Sequence, residues 1–174
     1  METKKIISVI AIAAIIIAGC GPSKQKKINE IKILEDKIKT SDIKNDKQLV
    51  NDYIVACKDY CRRFPDDSLS PKYLFGLAVV SMTIGNSQDA IGFLDEVCKK
   101  YPNSARVADA LLQKAILYDT QLNNTKTAGI LYHEFITKYP NDKNVQVAKD
   151  ALSVLGKSPE EVLNSFKKDS TNVK

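Results

Sequence analysis

The chain has no tryptophan, one histidine and two methionines, and only seven glycines and six prolines in 174 residues. Each shortage excludes something. There is no Gly-rich phosphate loop, and neither a Gly-x-Ser-x-Gly nor a His-Glu-x-x-His pattern occurs. The single histidine, His133, lies between Tyr132 and Glu134 and has no second base to converge with, so it reads as an exposed helical residue. On this supply of groups the chain is not an enzyme: it offers no catalytic residue, no cofactor site and no metal site. Without tryptophan it also lacks the aromatic that carbohydrate sites use most. Lys+Arg number 26 against Asp+Glu 21, but much of the lysine sits in the first fifty residues and is not interleaved with aromatics. That argues against nucleic acid as a partner. An apolar fraction of 44% is enough for one modest packed domain, and few glycines suit a helical one.

The prolines that are present are regularly placed. Phe64-Pro65, Tyr101-Pro102 and Tyr139-Pro140 are 37 and then 38 residues apart, and each pair is followed by short polar residues, Asp66-Asp67, Asn103-Ser104 and Asn141-Asp142. Proline cannot continue a helix, and Asp, Asn or Ser caps the next one. A fixed period in the thirties is the signature of stacked helical repeats.

Counting back from Pro102 places Ala90, Leu94 and Val97 in one helix, and Gly85, Ala78, Leu77 and Leu74 further back. Counting back from Pro140 places Tyr132, Ala128, Tyr118, Ala115 and Leu111 in the same slots, with one extra residue in the Leu122–Lys126 turn. This pattern resembles the tetratricopeptide repeat, a helix-turn-helix unit of about 34 residues. Lys114 and Phe135 depart from its usual apolar and small choices. The resemblance implies an all-α fold, a short superhelix of two full and two partial repeats over residues 48–168. Leu49–Phe64 would be the second helix of an incomplete leading unit. Asn144–Leu155 would open a trailing unit, with Val147, Ala148, Ala151, Leu152 and Leu155 inward and Gly156 ending it. Ser158-Pro159-Glu160-Glu161 is a helix start, with Ser as cap and Glu three residues on, for a last helix to about Phe166. Residues 169–174 read as a frayed tail.

The amino terminus has a separate organisation. Lys4-Lys5 precedes the apolar stretch Ile6–Ala18, and Ile17-Ala18-Gly19-Cys20 closes it. A basic segment, an apolar segment and small residues make a secretory signal, and the apolar run is shorter than the roughly 20 residues of a spanning helix. Cys20 after small residues resembles the lipobox of bacterial lipoproteins. That resemblance implies removal of residues 1–19 and acylation of Cys20. Gly21-Pro22, not an Asp, follows, which favours the outer membrane under the sorting rule, and Gly21–Lys27 lacks the acidic run associated with surface export, which favours the side facing the periplasm. An ordinary cleaved signal or a short anchor is the alternative. Residues 20–27 read as a tether, and 28–47 as an amphipathic helix and loop, with Ile28, Ile31, Leu34 and Ile38 at helical spacing. That helix either caps the array or starts a coiled coil, for which it is under two heptads.

Tyr101-Pro102-Asn103-Ser104, with Ala105 and Ala108 after it, also resembles the envelope group of tetratricopeptide proteins. These include the barrel-assembly lipoprotein, the division coordinator of the Tol-Pal system and small lipoproteins of Bacteroidota. What the resemblance implies is a lipid-anchored scaffold whose partner is an envelope protein or peptide segment. Its membrane contact would run through amino-terminal acyl chains. On the concave face the slots hold Phe75, Val79 and Met82 from one unit, and Leu112 and Ile116 from the next. These are the candidate partner-binding residues, unless the leading helices fold over them. A solute- or glycan-binding lipoprotein using the same face is the alternative function. Cys57, Cys61 and Cys98 read either as small core residues or, with His133, as metal ligands; a disulfide within one helical turn is geometrically poor.

Overall fold

The computed structural model describes residues 22–158, 160 and 161. Cys20 and the signal segment lie outside them. Of the helix expected to reach Phe166 only the start is described, where Glu161 N–H donates to Ser158 Oγ at 3.3 Å and Ser158 N–H donates to the Glu161 carboxylate at 2.7 Å. Seven helices follow in order: α1 Lys24–Thr40, α2 Lys47–Arg63, α3 Ser70–Thr83, α4 Ser87–Lys100, α5 Arg106–Thr120, α6 Thr125–Lys138 and α7 Val145–Val154. Among the described residues there is no strand. Each helix packs on the next in sequence, so α1/α2, α3/α4 and α5/α6 are antiparallel pairs, and α7 packs against α6.

The three aromatic-proline breaks are the same joint built three times. The N–H groups of Phe64, Tyr101 and Tyr139 donate to the carbonyls of Tyr60, Val97 and Phe135 at 2.9, 3.1 and 2.9 Å, completing the last helical turn. Proline then stops the helix. Three residues past each aromatic, Asp67, Ser104 and Asp142 donate their own N–H back to its carbonyl at 3.1, 2.9 and 3.0 Å. Their side chains accept from the N–H groups of Leu69, Arg106 and Asn144 at 2.8, 3.2 and 2.8 Å, so the donors opening the next helix are satisfied. The connections at the other edge differ from one another. Gly85 at φ 80° turns the chain from α3 to α4, and Asn123 at φ 51° does so from α5 to α6, where the extra residue sits. Both φ values lie in the left-handed region that glycine and asparagine tolerate best.

Small residues let paired helices approach. Ala78 faces the α3/α4 contact with Ala90, and Ala115 the α5/α6 contact with Ala128; all four are fully buried. Large residues fill the rest, with Leu77, Leu94 and Phe135 also fully buried. Each such side chain contributes about 1.5–3 kcal/mol. Lys114 places Nζ 2.5 Å from Asp95 on α4.

The leading unit departs from expectation. Its first helix begins at Lys24, inside the segment expected as a tether. Ser23 caps it, accepting from Lys26 N–H at 3.3 Å, and Lys and Gln are good helix formers whose polarity alone does not mark a tether. α1 then completes a helix pair with α2. Ile31 is fully buried, and Lys27 lays its stem against the core while its ammonium pairs with Asp59. Lys24 pairs with Asp67 beyond the end of α2. In α2, Tyr53 occupies the slot of Ala90 and Ala128, twelve residues before the proline. Tyr60 meets Tyr73 edge-on with ring centroids 4.8 Å apart.

One inward assignment in α7 does not hold. Ala148 is buried, and Ala151, Leu152 and Leu155 pack against the second core cluster, but Val147 is exposed. The buried set repeats every three to four residues, and Val147 falls off that stripe.

Candidate functional site

Two layers of helices make up the array. The odd-numbered helices form one layer and α2, α4 and α6 the other. α3 and α5 touch each other across the stack, whereas no comparable contact joins the even-numbered helices. The layer whose members are closer together is the inner side of a curve, so α1, α3, α5 and α7 form the concave face.

On that face a cleft of about 340 Å³ opens between α1 and α3. Ile38 and Val79 give it apolar walls, Tyr53 and Gly76 lie at its base, and Glu35, Lys39 and Lys72 stand at the rim. Glu35 and Lys72 form a bridge at 3.4 Å between the two inner helices. Further along the face, the Arg106 guanidinium lies 5.4 Å from the centre of the Phe75 ring and pairs with Asp109 at 2.9 Å.

The five candidate contact residues are therefore not equivalent. Val79 is 42% exposed and lines the cleft. Phe75 is half-buried beneath Arg106, and Met82 lines a separate cavity of about 350 Å³ with Lys44 and Ile84. Ile116 is half-buried against the second core cluster. Leu112 is only 6% exposed and belongs to that cluster with Ala115, Tyr132 and Ala148. As a surface contact residue it is a correction: inner helices that pack on one another enclose the innermost slot, and Leu112 is core.

Glu35, Ile38 and Lys39 carry no repeat signature in the sequence, because α1 precedes the first aromatic-proline break and shares no counted slot with the repeats. Gly76 was the available signal. A glycine inside an apolar helix costs roughly 0.5–1 kcal/mol against alanine, so it marks a close approach. A β-carbon there would overlap Tyr53 Oη.

A larger concavity, about 800 Å³, lies at the amino-terminal end between α1 and α2, where Ile33 and Val55 are exposed among Lys26, Glu30 and Asp52. Among the described residues it is the outer end of the stack and involves one helix pair only.

Among the described residues Cys57, Cys61 and Cys98 are free. Cys57 is fully buried, and burial pushes its thiol well above the ordinary range. Cys61 donates to the Ser70 carbonyl at 3.5 Å, and burial pushes it up to about 11. Such thiols are poor nucleophiles. Among the described residues no three His, Cys, Asp or Glu side chains group as a metal site. His133 is exposed on α6. No described helix is long and apolar enough to cross a membrane.

Residues 73–104 and 109–142 match the family model for the tetratricopeptide repeat. The matched segments are the α3/α4 and α5/α6 units with the joint following each. No curated protein matches the chain. The fold is an all-α tetratricopeptide-repeat array, and the α1/α2 pair ahead of it has the same helix-turn-helix form with Tyr53 in a small-residue slot.

Proposed function

We propose that this chain is a lipid-anchored scaffold of the bacterial cell envelope, held at Cys20 on the periplasmic side of the outer membrane. Its inner helical face would receive a segment of an envelope protein. Tetratricopeptide repeats act as scaffolds for protein partners, and extended concave surfaces are what helical-repeat arrays use for binding. The observation that carries the reading is Val79, an exposed apolar residue in a cleft whose rim is charged. A partner segment with one apolar side chain for Val79 and Ile38, and polar groups for Glu35 and Lys72, fits that chemistry. The Ile17-Ala18-Gly19-Cys20 sequence supports the anchor, and Gly21-Pro22 after it supports the outer membrane.

The test is site-specific photocross-linking in cells, with the reactive residue at Val79, at Ile116, or at Ile130 on the outer helix α6. Capture of one and the same protein from Val79 and Ile116, absent from Ile130 and lost with Val79→Glu, is the expected result. Equal capture from all three positions would rule out the inner face. Release of the Cys20→Ala chain from the membrane fraction tests the anchor independently.

A further inference from the structure

The anchor and the fold together constrain how the array sits. α1 begins at Lys24, four residues after Cys20. At no more than about 3.3–3.6 Å per residue, the start of α1 lies within roughly 15 Å of the acylated residue. The protein therefore stands beside its anchor with almost no leash.

Which part of it faces the lipid then follows from topology. Alternate helices run in opposite directions, so the starts of α1, α3, α5 and α7 share one edge with the ends of α2, α4 and α6. All three aromatic-proline joints lie on that edge. The start of α1 is fixed to it by Lys24–Asp67 and Lys27–Asp59.

The two edges differ in charge. Residues 22–27 carry three lysines and no acid. Together, segments 22–27, 59–73, 96–109 and 134–147 of the anchor edge carry eleven Lys and Arg against seven Asp and Glu. On the opposite edge, segments 36–49, 82–90, 119–127 and 153–161 carry six against seven. Lys99, Lys100 and Lys138, at the ends of α4 and α6, are largely exposed, as are Pro65, Pro102 and Pro140 at the joints. Screening limits electrostatic contact to about 8 Å at physiological salt, so only an edge held at the surface can use its charge. The short lead from Cys20 supplies that proximity.

We infer that the aromatic-proline edge rests on the anionic phospholipid surface, with the helices standing on the bilayer and the inner face opening sideways along it. This rests on the reading of Cys20 as the acylated residue. Basic groups next to an acyl anchor add to its hold on anionic lipid, which gives the exposed Lys26 a role beyond solubility while Lys24 and Lys27 pin α1 to the same edge.

The test is lysine acetylation footprinting of the full acylated chain in phosphatidylcholine vesicles with and without phosphatidylglycerol, read by mass spectrometry. Lys26, Lys99, Lys100 and Lys138 report on the anchor edge, and Lys37, Lys39, Lys44 and Lys126 on the opposite one. The expected result is several-fold slower acetylation of the first four in phosphatidylglycerol vesicles, with the contrast shrinking when that lipid is omitted. Equal rates at both edges in an acylated, vesicle-bound chain would overturn the orientation and leave the anchor standing. A contrast indifferent to phosphatidylglycerol would overturn the anionic contact. An unmodified Cys20, seen in the mass of the amino-terminal peptide, or a Cys20→Ala chain that stays on vesicles, would remove the anchor and the inference with it.

Discussion

The hydroxyl of Tyr53 fills the space that a β-carbon on Gly76 would take, while the ring carbon Cζ stays at an ordinary 3.5 Å from that position. Two irregularities compensate each other here: a large residue in a small-residue slot of α2, and a missing side chain in the middle of α3. Gly76→Ala should destabilise the array by about 1–3 kcal/mol through overpacking. Tyr53→Phe removes only the overlapping oxygen, so in the Gly76→Ala background it should recover most of the loss. Urea denaturation of the four members of this cycle gives the coupling directly. Additive effects of the two changes would show that the residues do not oppose one another.

Leu112 and Val79 separate stability from recognition. Leu112→Ala should cost about 2–5 kcal/mol, as a buried leucine truncation does. Val79→Ala should change stability by no more than about 0.5 kcal/mol. Partner capture should follow Val79 and be unaffected by Leu112→Ala at temperatures where that variant remains folded by circular dichroism. Both residues lie on inner helices but differ in burial, so the contrast tests the inner-face reading residue by residue.

Alkaline pH should weaken the array through its thiols. Cys61 is pushed from 9.0 up to about 11, by burial first and with a smaller push from Glu96. The unfolded chain then loses this proton before the folded one does. The stabilising contribution is full below about pH 9 and is lost as pH rises toward 11. Tyr73, pushed from 10.0 to about 12 by burial, extends the same trend upward. Denaturation midpoints between pH 8 and 11 should fall for the native chain and fall less steeply for Cys61→Ala. In the same range a thiol reagent should modify Cys57, the most buried of the three, last.

Acid should act at α1. Lys27 first, then Arg63 and Arg62, hold the Asp59 carboxyl well below the usual carboxylate range. Its contribution is present above the ordinary carboxylate value and lost as pH falls through the depressed one. Asp59→Asn leaves the buried Lys27 ammonium without its partner, at a cost of about 1–3 kcal/mol. Hydrogen exchange should show that loss as faster opening of α1 and α2, with α5 and α6 unchanged, because contacts in a stack are between neighbours.

The repeating breaks were legible in the sequence because they are local. An aromatic, a proline and a polar cap act within seven residues, and the three joints carry matching hydrogen bonds. Ala78, Ala90, Ala115 and Ala128 were legible for the same reason, as small residues at fixed distances from those breaks. What escaped depends on the third dimension. Lys24–Lys27 looks like a solvated tether until Asp59 and Asp67, more than thirty residues on, supply counter-charges. Slot counting placed Leu112 with Phe75, and only the stacking of inner helices distinguishes a half-open position from a closed one. Val147 shows the same limit in α7, where its apolar character alone does not distinguish it from the inward stripe of Ala148, Ala151, Leu152 and Leu155.

The sameness of the three joints has a consequence for how such a chain changes over generations. Each joint satisfies its own backbone groups and uses the same positions relative to its aromatic residue. A helix pair can therefore be duplicated or deleted between Phe64, Tyr101 and Tyr139 without inventing a new connection. Length in this array comes in increments of 37 or 38 residues, and the α2/α3 junction, where Tyr53 and Gly76 accommodate each other, is the part that cannot be copied freely.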